Sequence, residues 1–264
     1  LTAYSEHCNE KFYSDGNGAN LGSVMCGIVG IWNIEGASID ERELDRFTDS
    51  LAHRGPDGRG TFTNSDGYLG LGHRRLAILD ITESGHQPMS YGDGRYWITF
   101  NGEIYNFLEL REQLKKLGHQ FFSETDTEVV LAAYAQWGQD CQFRLNGMWA
   151  FALLDRNGGS LWLSRDRFGK KPLYYVQKGE EFFFSSELSS LCRHPAIRLQ
   201  INETALVKYF AHGYVPGPES LVKDVAKLPA GHNLVFDLTN RRSRLEQYWR
   251  FKLEADPLWM SCPQ

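Results

Sequence analysis

Two periodicities run through the chain. Gly27-Ile28-Val29-Gly30-Ile31-Trp32 is a continuous β-branched and apolar run, which predicts a buried strand. Behind Asp40 and Glu43 the apolar positions change to Leu44, Phe47 and Leu51, the spacing of a helix with one apolar face. A mixed apolar stretch at 69–81, interrupted by Arg74 and Arg75, predicts one or two strands, and the aromatic run 96–100 predicts another that ends at Asn101-Gly102-Glu103. Asn106 with Glu109 predicts a capped helix carrying Phe107, Leu110, Leu114 and Leu117 on one face until Gly118 ends it. Thr125-Asp126-Thr127-Glu128 has the form of a capping box for a further helix bearing Val130, Ala133, Tyr134 and Trp137. Strands are expected at 148–155, 161–164, 173–176 and 181–185, with hairpin turns at Asn157-Gly158-Gly159 and Lys178-Gly179-Glu180. Short helical signals follow Ser190, and Val215-Pro216-Gly217-Pro218 reads as a boundary. The chain has no internal repeat. Helices mixed with hairpin-linked strands predict an α+β protein of stacked layers with two buried sheets, rather than a doubly wound parallel sheet.

Composition narrows this picture only slightly. Of 264 residues 42% are hydrophobic and 23% charged, with a formal charge of -5, so neither nucleic-acid nor membrane binding is expected. Cys8, Cys26, Cys141, Cys192 and Cys262 are widely and irregularly spaced, with no CxxC or Cys/His pattern of a metal site and no disulfide framework. A cytoplasmic setting is expected. Residues 1–24 lack an apolar core and a basic start, and are rich in Gly, Asn and Ser. They are expected to be a disordered extension, either a propeptide or sequence outside the native protein, and not a secretory signal.

Candidate chemistry begins at Met25-Cys26. If Cys26 becomes the first residue, its thiol and α-amine belong to one residue, a nucleophile carrying its own base. A small buried cysteine at the start of a core strand is the alternative reading. His53-Arg54-Gly55-Pro56-Asp57, Asn101-Gly102-Glu103-Ile104-Tyr105-Asn106 and Thr125-Asp126-Thr127-Glu128 follow Met25-Cys26-Gly27-Ile28 in order. Together they resemble the glutaminase domain of glutamine-hydrolysing asparagine synthetases, class II amidotransferases of the N-terminal-nucleophile hydrolase type. The runs from Ser164 to Tyr175 and Leu228-Pro229-Ala230-Gly231 resemble the synthetase branch as well. The resemblance extends from Met25 to about Tyr248 and implies a four-layer αββα sandwich of two mainly antiparallel sheets.

It also implies roles. Cys26 would attack the glutamine side-chain amide with its α-amine as base, and the Asn101 side chain and Gly102 N–H would form the oxyanion site. Arg54 would hold the substrate α-carboxylate, and Asp126 with Glu103 the α-ammonium. On residue type alone, Asn101-Gly102 reads as a turn, Arg54 as a surface arginine and Asp126 as a favourable first-turn acid. His53 and His73 are assigned supporting roles, and Arg74, Arg75, Arg165 and Arg167 interdomain or ion-pair roles.

Two features depart from the family pattern. Cys26 is preceded by 24 residues and Met25, and no Ser-Gly-Gly-x-Asp-Ser phosphate loop occurs. The expected organisation is therefore an extension at 1–24, a glutaminase domain at 25–213, and a linker with the truncated start of a synthetase domain at 214–264. The expected ligand is L-glutamine, with no cofactor for the glutaminase half. ATP and Mg would serve only the synthetase half, which would also be the partner domain, and a homodimer is compatible with the resemblance. Two further readings are a glutaminase serving another amide acceptor and a non-catalytic module with Cys26 blocked.

Overall fold

The computed structural model describes residues 25–77 and 83–253. The expectations for 1–24, for 78–81 and for the tail from 254 lie outside these residues. Strand β1 (Gly27–Asn33) leads to helix α1 (Glu41–Asp49) and then to β2 (Gly58–Thr63) and β3 (Leu69–Arg75). Next come β4 (Met89–Tyr91), β5 (Tyr96–Ile104), α2 (Phe107–Lys116) and α3 (Asp126–Trp137). Four antiparallel strands follow: β6 (Gly147–Asp155), β7 (Ser160–Arg165), β8 (Tyr174–Lys178) and β9 (Glu181–Ser185). The described chain ends with α4 (Leu188–Arg193), α5 (Glu203–His212), β10 (Ala226–Lys227), β11 (His232–Asp237) and β12 (Arg242–Gln247).

The strands form two six-stranded sheets, in orders β10-β8-β9-β1-β3-β2 and β12-β11-β7-β6-β5-β4, and the neighbouring pairs are antiparallel. Strand alternation explains why the buried runs are apolar on both faces. Ile28 and Trp32 of β1, Ala150, Ala152 and Leu154 of β6, and Phe182 and Phe184 of β9 meet in the layer between the sheets. Val29, Ile31 and Phe183 point the other way, to Leu44 and Phe47 of α1 and Leu191 of α4. Trp149, Phe151 and Leu153 turn to the opposite outer layer, where Leu110 and Leu114 of α2 and Val129 to Tyr134 of α3 cover them. This is the αββα sandwich.

Beyond the Pro-rich segment, β10 pairs with β8 and β11 with β7, so up to Gln247 the stretch expected as linker contributes strands to both sheets. β12 is a polar edge strand, exposed along most of its length, and carries no apolar signal that sequence could show.

Some local expectations are corrected. Asn106 does not cap α2: its Oδ1 accepts from Asn146 N–H at 2.9 Å and its Nδ2 donates to the Arg144 carbonyl at 3.0 Å, tying the helix start to a distant loop. Leu117 lies past the last turn and is exposed. β5 runs through Asn101-Gly102-Glu103 to Ile104, because these residues pair with Ala150, Trp149, Met148 and Gly147 of β6. Ladder pairing outweighs the local turn preference of Asn-Gly.

Gly30 sits where β1 passes beneath Phe184, and an added Cβ would lie 2.1 Å from a ring carbon of that buried side chain. Gly30→Ala is expected to destabilise the fold by roughly 1–3 kcal/mol through overpacking. A denaturant midpoint equal to the parent's would refute the close packing argued here.

Candidate active site

Cys26 stands directly before β1, with Leu76 just past the neighbouring strand β3. Its Sγ receives the Leu76 N–H at 3.4 Å and lies 3.6 Å from the Leu76 carbonyl, to which the thiol donates. Burial is the dominant influence on this thiol and pushes it above its ordinary value; the Leu76 hydrogen bond and nearby Lys171 pull weakly the other way. In the intact chain Cys26 is thus a neutral thiol that needs a base before it can attack.

An open cleft is lined by Cys26, Arg75, Leu76, Gly85, Gln87, Phe100, Gly102, Thr125, Asp126 and Thr127. Three of the candidates therefore share one cavity: Cys26, Gly102 and Asp126. Gln87 shapes its wall by accepting the Phe100 N–H at 2.7 Å and donating to Thr127 Oγ1 at 3.3 Å.

Asn101, next to Gly102, is 2% exposed, and its Nδ2 is buried without a hydrogen-bond partner. A buried donor left unmatched costs about 1–3 kcal/mol, so this amide gains from an acceptor that a ligand brings to it. The glycine at 102 is demanded by the sheet itself, since a Cβ there would lie 2.4 Å from the Met148 carbonyl oxygen. Asn101→Ala is expected to lower kcat for amide hydrolysis by roughly two to three decades with little change in KM, as for one lost oxyanion donor. A raised KM at unchanged kcat would remove Asn101 from that role.

Asp126 opens α3, where Thr125 Oγ1 caps the helix by accepting the Glu128 N–H at 3.3 Å. Glu128 does not close the box onto Thr125; its carboxylate instead accepts from the Phe122 and Ser123 N–H groups, at 2.8 Å each. Asp126 Oδ2 accepts the Ile104 N–H at 2.9 Å. Burial pushes its carboxyl up to about 6 despite that bond, and Glu103 pushes in the same direction. Glu103 lies in β5 opposite Met148 and within electrostatic reach of Asp126, outside the cleft lining.

The arginines separate by geometry. Arg54 does not line the cleft: its Nε donates to the Cys26 carbonyl at 3.0 Å and its Nη1 to Glu187 at 2.9 Å, leaving Nη2 buried without a partner. Arg75, expected in an ion-pair role, lines the cleft with Cys26. Arg74 pairs with Asp49 at 3.4 Å, as an ion-pair residue should. Arg165 makes no ion pair among the described residues; its three guanidinium nitrogens donate to the carbonyls of Lys171, Leu228 and Gly169. Arg167 donates to the Leu145 carbonyl at 2.9 Å.

His53 meets Glu187 at 3.1 Å, and buried His73 meets the Phe100 carbonyl at 3.1 Å. Burial lowers His73 to about 3, which keeps it neutral. Sequence reading passed over Lys171, a buried lysine whose Nζ lies 3.1 Å from Met25 Sδ. In sequence it is the second of two adjacent lysines ending a charged run before Pro-Leu-Tyr-Tyr, and nothing there marks it as buried.

A glutamine amidotransferase domain model matches residues 25–249. The chain is 43% identical over 243 residues to a putative glutamine-hydrolysing asparagine synthetase 2 of Methanocaldococcus jannaschii, covering 85% of this chain and 46% of that protein. It is 41% identical over 210 residues to the glutamine-hydrolysing asparagine synthetase 1 of Bacillus subtilis, covering 78% and 33%. The glutamine phosphoribosylpyrophosphate amidotransferase of B. subtilis shares the fold, with a TM-score of 0.61 at 18% identity over 85% of this chain and 49% of that one. The chain spans less than half the length of these curated relatives. It belongs to the glutamine amidotransferase domain family and is homologous to the glutaminase half of asparagine synthetases.

Proposed function

We propose that the chain releases ammonia from L-glutamine by acyl transfer at Cys26 and passes it, in a full-length protein, to a synthetase half that amidates aspartate. The observation that carries the hydrolytic reading is Gly102 in the cleft of Cys26, next in sequence to Asn101, whose buried Nδ2 has no hydrogen-bond partner although Asn101 does not itself line the cleft. With Cys26 as first residue, its α-amine takes the thiol proton and the sulfur adds to the amide carbon. The carbonyl oxygen becomes an oxyanion received by Asn101 Nδ2 and the Gly102 N–H. The amine returns the proton to the leaving nitrogen, ammonia departs, and water hydrolyses the thioester to glutamate.

The substrate's α-ammonium is assigned to Asp126, with Glu103 behind it. Its α-carboxylate is assigned to Arg75 rather than Arg54, because Arg75 lines the cleft while Arg54 is engaged with Cys26 and Glu187. No described group of three or more His, Cys, Asp or Glu residues is placed to hold a metal. ATP and Mg are assigned to the synthetase half, and no step above passes through them. A reducing cytoplasm suits a chemistry that depends on a free thiol. Among the described residues no helix is long and apolar enough to cross a membrane.

The test is glutamate release from glutamine by the form beginning at Cys26, with no nucleotide added. Folded protein without turnover would overturn the reading. The same assay carries a pH signature. Asp126 must be ionised to receive an ammonium, and its carboxyl sits near 6 in the ligand-free fold. Below that pH, binding must first expel a proton, so KM is expected to rise by up to about tenfold per pH unit and to be flat above it. A KM unchanged between pH 5 and 7 would remove Asp126 from substrate binding.

A further inference from the structure

A nucleophile at a chain terminus is tethered on one side only, and chain ends fray unless something ties them down. Acyl transfer nevertheless demands that the sulfur be held in a near-attack geometry, where a displacement of about 1 Å costs on the order of a hundredfold in rate. Beyond the long contacts of its Sγ with Leu76, the backbone of Cys26 can be fixed at its own carbonyl and at the residues after it.

Both points are gripped from one short segment. The Cys26 carbonyl accepts from Arg54 Nε at 3.0 Å. Two residues on, the Ile28 N–H donates to Ser186 Oγ at 3.0 Å, and the Ser186 N–H donates back to the Ile28 carbonyl at 2.9 Å. Arg54 is itself held by Glu187 Oε1 at 2.9 Å. Glu187 is fixed in turn by Ser189 Oγ at 2.8 Å and His53 Nε2 at 3.1 Å, and its own N–H donates to Ser185 Oγ at 3.1 Å. Burial alone would raise the Glu187 carboxyl, but hydrogen bonds from Arg54, Ser189 and His53 outweigh it and hold the group below its ordinary value. A charged acceptor on the guanidinium makes this a strong, directional link.

We propose that Glu187 is a positioning residue for Cys26, acting through Arg54, and that residues 185–187 form a clamp that fixes the nucleophile once Cys26 begins the chain. The proposal rests on the reading of Cys26 as the nucleophile. Glu187 is not part of the cleft lining, so its loss disturbs the placement of the sulfur rather than the grip on glutamine.

The test compares the parent, Glu187→Gln, Glu187→Ala and Cys26→Ala, each beginning at Cys26. This form keeps every described strand and helix, the first of which starts at Gly27. Glutamine turnover gives kcat and KM, and thermal unfolding checks that each variant is folded. Glu187→Ala is expected to lose up to about a hundredfold in kcat with KM within about threefold of the parent. Glu187→Gln keeps a neutral oxygen for Arg54 and is expected to lose about tenfold. A general structural defect would instead lower the folded fraction or raise KM together with the fall in kcat. If the alanine variant does not fold, the isosteric glutamine variant decides, and a parent-like kcat there overturns the clamp. Parent-like Glu187→Ala beside inactive Cys26→Ala overturns the clamp alone. Turnover by Cys26→Ala overturns the nucleophile reading and the clamp with it.

Discussion

Cys26→Ala, in the form that begins at Cys26, is expected to lose glutamine hydrolysis by about five to six decades, the scale seen when a covalent nucleophile is deleted. The substitution removes one sulfur and leaves the backbone contacts that hold the residue, namely Arg54 on its carbonyl and Ser186 on Ile28. The sulfur's own bonds are the long ones to Leu76, so stability should change by about 1 kcal/mol or less. The oxyanion donors Asn101 and Gly102 and the ammonium partner Asp126 remain, so glutamine still binds. Calorimetric binding with undetectable glutamate release is thus the expected pair of observations. Turnover within tenfold of the parent would show that the cleft hydrolyses amides without the thiol.

The core of this arrangement was legible before any coordinates. The β-branched run after Cys26 reads as a buried strand, and both of its faces meet apolar layers. Thr125 is an effective helix cap in sequence and in space, which places Asp126 at the dipole's positive end. What escaped sequence reading depends on contacts between distant residues. Asn101-Gly102 has the chemistry of a turn, and only pairing with β6 draws it into a strand. Arg54 and Arg75 each lie in motif-like stretches, and spacing cannot tell which faces the cleft and which lies behind the nucleophile. Glu187 is a single acid after a strand, with its importance set by partners more than a hundred residues away. β11 and β12 are short or polar, and β12 gains its place by hydrogen bonding to β11 rather than by burying side chains.

The 264-residue chain with Cys26 internal is expected to hydrolyse glutamine about two to four decades more slowly than the form beginning at Cys26. The reason lies at one nitrogen. As a terminal amine it has a lone pair and a basicity suited to shuttling a proton near neutral pH; as a peptide amide its lone pair is delocalised and it cannot accept one. A lost general base costs about two to four decades. The Cys26 thiol cannot supply the missing ionisation, because burial pushes it above its ordinary value. Lys171 is within electrostatic reach of Cys26, and in the intact chain its Nζ donates to Met25 Sδ at 3.1 Å. Removal of everything before Cys26 therefore frees the amine and takes away that sulfur partner of the lysine in a single event. Glutamate release from the two forms, prepared side by side with the intact length verified by mass, measures the difference. Comparable rates would mean that the α-amine is not the base, and the N-terminal-nucleophile mechanism would fail for this protein.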